Sequence, residues 1–163
     1  MPNLVQEQIF HMRPIFFATL LAAAPMTAFA DEGLQIHDGY ARSANPVTGA
    51  AFMTIDNLGD ADCPLQNVSS DIAERTELHT HREEDGVMKM MHVEGGFVVP
   101  AGGSLDLKRG GDHVMFLGLE NSLHDGDKVA LQLDFGSCGI QTTELVVDNE
   151  RKPTDGHGMH GDM

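Results

Sequence analysis

LHTHREEDGVMKMMHV, residues 78–93, sets three histidines and three methionines around a charged turn. Two stretches of mixed apolar and polar residues flank REEDG, so the segment reads as a β-hairpin. Residues two apart on a strand share a face. His79 and His81 therefore lie on one face, with Leu78 and Thr80 on the other. After the turn, Met88, Met90 and His92 share one face, while Val87, Met91 and Val93 share the other, so that Met91 is expected to turn toward the core. The hairpin lets His79 approach Met90. Taken singly, a methionine is an ordinary core residue. Imidazoles and thioethers interleaved with Lys89 and next to a run of charges are not a core composition.

The same rhythm continues on both sides. GAAFMTIDN (49–57), CPLQNVSS (63–70), FVVPAGGSLDLK (97–108), HVMFLGL (113–119), KVALQLDFG (128–136) and TTELVVD (142–148) read as short strands, with Gly- and Asp-rich turns between them. No segment sustains a long helical period, although DIAERT (71–76) has room for one helical turn. The pattern predicts an all-β, antiparallel sandwich or barrel. With 163 residues the chain suffices for one domain with a real core. After Val147 the sequence DNERKPTDGHGMHGDM is nearly devoid of core-forming residues, which predicts a flexible tail over 149–163.

Residues 12–30, MRPIFFATLLAAAPMTAFA, combine Arg13, a short apolar run and the small-residue ending Ala28-Phe29-Ala30. This is the pattern of a signal peptide occupying 1–30, cut before Asp31, with the domain proper over 31–148. The apolar run is short for a membrane span, so no stable membrane insertion is expected after cleavage. Residues 1–30 hold one acidic group, Glu7, and one basic group, Arg13, so the remainder keeps the full formal charge of −15. Such a field repels nucleic acid and anionic membrane surfaces. Cys63 and Cys138 are the only cysteines, and in an exported chain a disulfide between them is expected over a thiolate metal site.

A second soft pair, His113-x-Met115, opens the strand HVMFLGL, with Val114 and Phe116 on its opposite face. A buried histidine beside a core methionine would give the same pattern. Thioether sulfur suits neither hard cations nor the closed sites typical of zinc, whereas mixed imidazole and thioether ligands suit Cu(I).

Together these residues resemble a known signature. His79, ten residues, Met90, twenty-two residues, then His113-x-Met115 is similar to the H-x10-M-x21-H-x-M motif of PCuAC-type periplasmic copper chaperones. ELHTH, DGVMKM, VEGG, PAGG and GGDHVMFLGL agree with that family locally, and the resemblance spans about residues 34–148. It implies a cupredoxin-like β-sandwich holding one Cu(I) on His79, Met90, His113 and Met115. It also implies a non-enzymatic periplasmic role, supplying copper for the CuA centre of cytochrome c oxidase. The partners would be the CuA-bearing subunit, a thioredoxin-like copper chaperone, or both. Two departures stand out: His81 replaces a frequent methionine, and the long spacer fits twenty-one residues only if Met91 is the ligand; strand parity favours Met90. His81, Met88 and His92 are candidates for support or copper entry on the same face. His157, Met159, His160 and Met163 resemble the His/Met-rich extensions that bind Cu(II) in some members, and His37 is a further candidate ligand. Copper storage or resistance is the alternative function. A cupredoxin-type electron carrier fits less well, since it would require a Cys thiolate beside two histidines.

Overall fold

A computed structural model describes residues 33–152. The expected signal segment 1–30 and the residues His157, Met159, His160 and Met163 lie outside the described residues. The strands are β1 (Leu34–Asn45), β2 (Thr48–Asn57), β3 (Cys63–Leu65), β4 (Asn67–Ser69), β5 (Ala73–Glu84) and β6 (Val87–His92). They continue as β7 (Phe97–Val99), β8 (Ser104–Leu107), β9 (His113–Leu119), β10 (Lys128–Asp134) and β11 (Ile140–Val147). A 3-10 turn, Gly136–Cys138, separates the last two, and no α-helix occurs among the described residues.

Alternation explains most of these strands. In β10, Val129, Leu131 and Leu133 are buried while the residues between them are exposed, the period of a half-buried strand. Central β2 is buried on both faces: Ala51, Met53 and Ile55 join the main core, whereas Ala50 and Phe52 join a smaller cluster with Tyr40 and Met115. The hairpin turn has positive φ at Asp85 (54°) and Gly86 (77°), which matches the right-handed twist of β5 and β6.

The main sheet runs β4-β10-β11-β1-β2-β9-β5-β6, with β8 also paired to β2, while β3 and β7 form a separate pair. β4, at one end of the order, packs against β5 near the other, so the sheet folds back on itself. The result is a cupredoxin-like β-sandwich around Phe116, Phe135, Ile55, Leu131, Leu133 and Leu145. Cys63 and Cys138 are disulfide-bonded and join β3 to the 3-10 turn.

Three expectations change. The sheet is mixed rather than wholly antiparallel, because β1 and β11 pair in parallel, Tyr40 with Val146 and Ala41 with Val147. Side-chain alternation has the same period in both strand directions and could not reveal this. Residues 73–76 of DIAERT are strand, since pairing of Ala73 with Leu119 and Arg75 with Leu117 overrides a weak local helical preference. FVVPAGGSLDLK and CPLQNVSS each divide into two strands, the first at the Pro100–Gly103 turn and the second at Gln66. At the C-terminal end, Asn149 and Arg151 make contacts with β1. Asn149 accepts from the Ser43 N–H at 2.7 Å, and the Arg151 guanidinium lies 4.4 Å from the centre of the Tyr40 ring.

Candidate metal centre

The site is assembled by three neighbouring strands. β5 pairs with β6 on one side and β9 on the other, so His79 faces both His92 and His113 across the sheet. One step along, His81 faces Met90; one step the other way, Glu77 faces Met115, which in turn faces Ala50 of β2. Directly paired residues project to the same face, so these side chains all share one surface. Leu78, Val114 and Phe116 project from the opposite surface into the main core. That core fixes the register, because a one-residue slip would send the histidines inward and the leucine and valine outward.

The face is graded in depth. His113 is 2% exposed and Met115 is 8% exposed, whereas every residue of edge strand β6 is exposed and Met90 retains 48% of its accessible surface. A cavity of about 280 Å³ opens between them, lined by Phe52, His81, Met90, His113 and Met115 among others. His81 stacks on His113 with ring centres 5.1 Å apart. His79 stands beside this cavity, 6.0 Å from His113 and 5.6 Å from His92, ring centre to ring centre. The residue directly opposite Met90 is thus His81, while His79 is its diagonal neighbour, a relation that sequence spacing does not distinguish. Met88 lies opposite Glu83 on the same face and is 57% exposed. Met91 points to the other face, as parity required, but remains 38% exposed, because β6 extends past the edge of the core it was expected to join.

Hydrogen bonds fix the imidazole nitrogens. The His79 Nε2–H donates to Glu77 Oε2 at 2.9 Å, since a carboxylate can only accept. That leaves Nδ1 of His79 with a lone pair, and this atom is buried without a hydrogen-bond partner. His113 donates from Nδ1 to the Gly111 carbonyl at 2.9 Å, leaving Nε2 as its free nitrogen. Carboxylate and carbonyl oxygens orient metal-binding histidines in just this manner. Burial pushes the His113 pKa below the ordinary imidazole range, against the opposing effect of the Gly111 hydrogen bond, and so favours the neutral, metal-binding form. The Glu77 carboxyl is held below its ordinary range, chiefly by the hydrogen bond from His79.

The donor set is soft. Among the described residues no group of three His, Cys, Asp or Glu side chains is placed to hold a metal, and the methionines on this face set soft thioether sulfur beside its imidazoles. The two ring nitrogens of His37 face Asp38 at 3.0 Å and Asp56 at 2.9 Å, and those carboxylates raise its pKa. The disulfide consumes both cysteines and leaves no thiolate for a blue-copper centre.

Glu77 was absent from the residues singled out by sequence, although its position two before His79 placed it on the same strand face. Glu77→Gln is expected to weaken Cu(I) binding about 10-fold by loosening the tautomer and orientation of His79. Competition titration against a Cu(I) chelator measures this, and an unchanged affinity would remove Glu77 from the site.

Comparisons with known proteins identify the family and agree with the fold. Residues 34–147 match the LpqE-like family, described as "Putative lipoprotein LpqE-like". A relative from Leifsonia xyli subsp. xyli (strain CTCB07), named "Putative lipoprotein Lxx21020", is 30% identical over 128 residues, covering 78% of this chain and 77% of its own. The solution structure of Cu(I)-DR1885 from Deinococcus radiodurans is similar with a TM-score of 0.55 and 28% identity, over 73% of this chain and 82% of that one. The copper-bound PCuAC domain from PmoF2 shares the fold with a TM-score of 0.59 at 17% identity, over 72% of this chain and 93% of that domain. With its motif, its sandwich and these relatives in agreement, the chain belongs to the LpqE-like family and has the PCuAC-type fold.

Proposed function

We propose that this protein is an exported copper chaperone that carries one Cu(I) on His79, Met90, His113 and Met115. The observation that carries the reading is the buried, unpartnered Nδ1 of His79, next to a buried His113 whose Nε2 is also free, on the face that holds both thioethers. A buried polar atom without a partner costs free energy, and a metal ion would satisfy it. Relatives support the cargo: the DR1885 structure similar to this chain was determined with Cu(I). The lipoprotein names within the family support export, and the periplasm is the compartment that the signal-like segment favours.

Copper is cargo here, so the site must release it. Met90, on the exposed edge strand, is the ligand an incoming thiolate reaches first; buried His113 and Met115 release last. Neutral thioethers yield to thiolates, and copper stays Cu(I) throughout. No catalytic group is required. The recipients we favour are the CuA-bearing subunit of cytochrome c oxidase and a thioredoxin-like copper chaperone. The segment with His157, Met159, His160 and Met163 is proposed to take Cu(II). Mixing the Cu(I)-loaded protein with an apo CuA domain, then separating the two, tests delivery. With two equivalents of loaded chaperone, copper should appear on the acceptor as the colourless, fully reduced centre. Removing one electron with added ferricyanide should then develop the purple CuA absorption; copper that stays on the chaperone would favour storage instead.

A further inference from the structure

The sequence is strongly acidic, with 25 Asp and Glu against 10 Lys and Arg, yet the surroundings of the copper cavity are not. The charged side chains lining the cavity are Arg42 and Arg109. A larger, more enclosed groove of about 500 Å³ adjoins it through the shared Phe52 and Arg109, and adds Lys108 and Arg151. Elsewhere Arg75 pairs with Glu77, Lys89 with Glu84 and Lys128 with Glu144, whereas Arg82 and Lys152 stand singly. Among the described residues, Arg42, Lys108, Arg109 and Arg151 have no carboxylate within ion-pair range, and the buried Nε of Arg42 has no hydrogen-bond partner. The groove's own acids are otherwise engaged, Asp38 by His37 and Asp106 by the Thr54 hydroxyl. Arg109 and Arg151 are held in place, the first donating to the carbonyl of the second at 3.1 Å and the second stacked on Tyr40. Set against Asp38 and Asp106 in the groove and Asp112 beside His113, the four cations leave this face a slight excess of positive charge in a chain of net charge −15.

We propose that this basic rim is a docking surface for an acidic protein partner, which it orients over the exposed thioether of Met90. The inference rests on the copper-chaperone reading for its purpose, but not for its existence. The long-range field of the −15 chain repels an acidic partner, so selectivity arises at contact, where the four cations lie within a Debye length of the incoming carboxylates. In the transfer that follows, two cysteine thiolates form bonds to Cu(I) while its bonds to imidazole and thioether break. The thiol protons go to buffer, and no electron moves.

The test uses two synthetic peptides with the same cysteine pair, one flanked by Asp and Glu, the other by Lys. Stopped-flow transfer from the Cu(I)-loaded protein at low salt is expected to be about 10-fold faster to the acidic peptide, with the difference shrinking toward unity at high salt. In the double variant R42Q/R109Q, which keeps only Lys108 and Arg151 of the rim, the preference should fall to about unity, because half of the local positive charge no longer offsets the overall negative field. Using the ratio of two rates within one protein cancels any change in copper affinity. Faster transfer to the lysine peptide in the unmodified protein, or a preference unchanged in the variant, would overturn the proposal. A cysteine-to-serine version of the acidic peptide, added to apo protein, separates docking from copper. Chemical-shift changes around Arg42 and Arg109 are expected even if copper binding itself fails, and their absence also counts against the surface.

Discussion

Met115→Leu is expected to lower Cu(I) affinity by about 100-fold while leaving the fold intact. Loss of an orienting partner alone costs 10- to 100-fold, and loss of a ligand should reach the upper end of that range or exceed it. Met115 is 8% exposed and packs with Tyr40, Ala50 and Phe52, so leucine fills nearly the same volume. Such volume-conserving exchanges cost less than about 1.5 kcal/mol, which keeps the affinity readout separate from unfolding. Met88→Leu is the matched control: it removes a thioether from the same face, but from an exposed position opposite Glu83. Equal losses in both variants would mean that copper is held diffusely by the methionine-rich edge. The same titration ranks the two histidines. His79→Ala should cost more than His81→Ala, because Glu77 already holds the His79 tautomer and leaves its Nδ1 bare, whereas His81 makes only a long 3.4 Å contact with the Gly111 carbonyl.

The second large effect concerns stability. Removing the disulfide with Cys63→Ala and Cys138→Ala is expected to destabilise the protein by about 4.5 kcal/mol on the chain-entropy account. The bridge spans a sequence separation of 75 residues, so it restrains much of the unfolded chain. Cys63 also belongs to the main core, with Leu78 and Val114 on the face opposite the proposed metal ligands. Denaturant unfolding should therefore shift strongly, while Cu(I) affinity of the folded variant stays within about two-fold, below the cost of losing even an orienting contact. A variant as stable as the parent would contradict the first expectation. A folded variant that loses copper would bring the cysteines into the site.

Much of this was legible in the residues. The alternation in LHTHREEDGVMKMMHV placed His79, His81, Met88, Met90 and His92 on one face, and the observed pairings put them there. The sandwich was readable from short alternating strands and Gly-rich turns. Three features were not. The parallel β1–β11 pair leaves no trace in side-chain alternation. Whether His79 or His81 sits directly opposite Met90 depends on hairpin register, which the REEDG turn sets through positive φ at Asp85 and Gly86. The exposure of Met91 depends on β6 being an edge strand, a property of sheet order that a strand's own sequence does not carry. Glu77 is an intermediate case, available from parity but inconspicuous beside a row of histidines.

X-ray absorption at the copper edge of the protein loaded with one equivalent of Cu(I) tests the central claim most directly. The account predicts a site with both sulfur and imidazole nitrogen neighbours, the sulfur contribution reduced in Met115→Leu and the imidazole contribution reduced in His113→Ala. A spectrum with nitrogen neighbours only, or one unaltered by both substitutions, would contradict it.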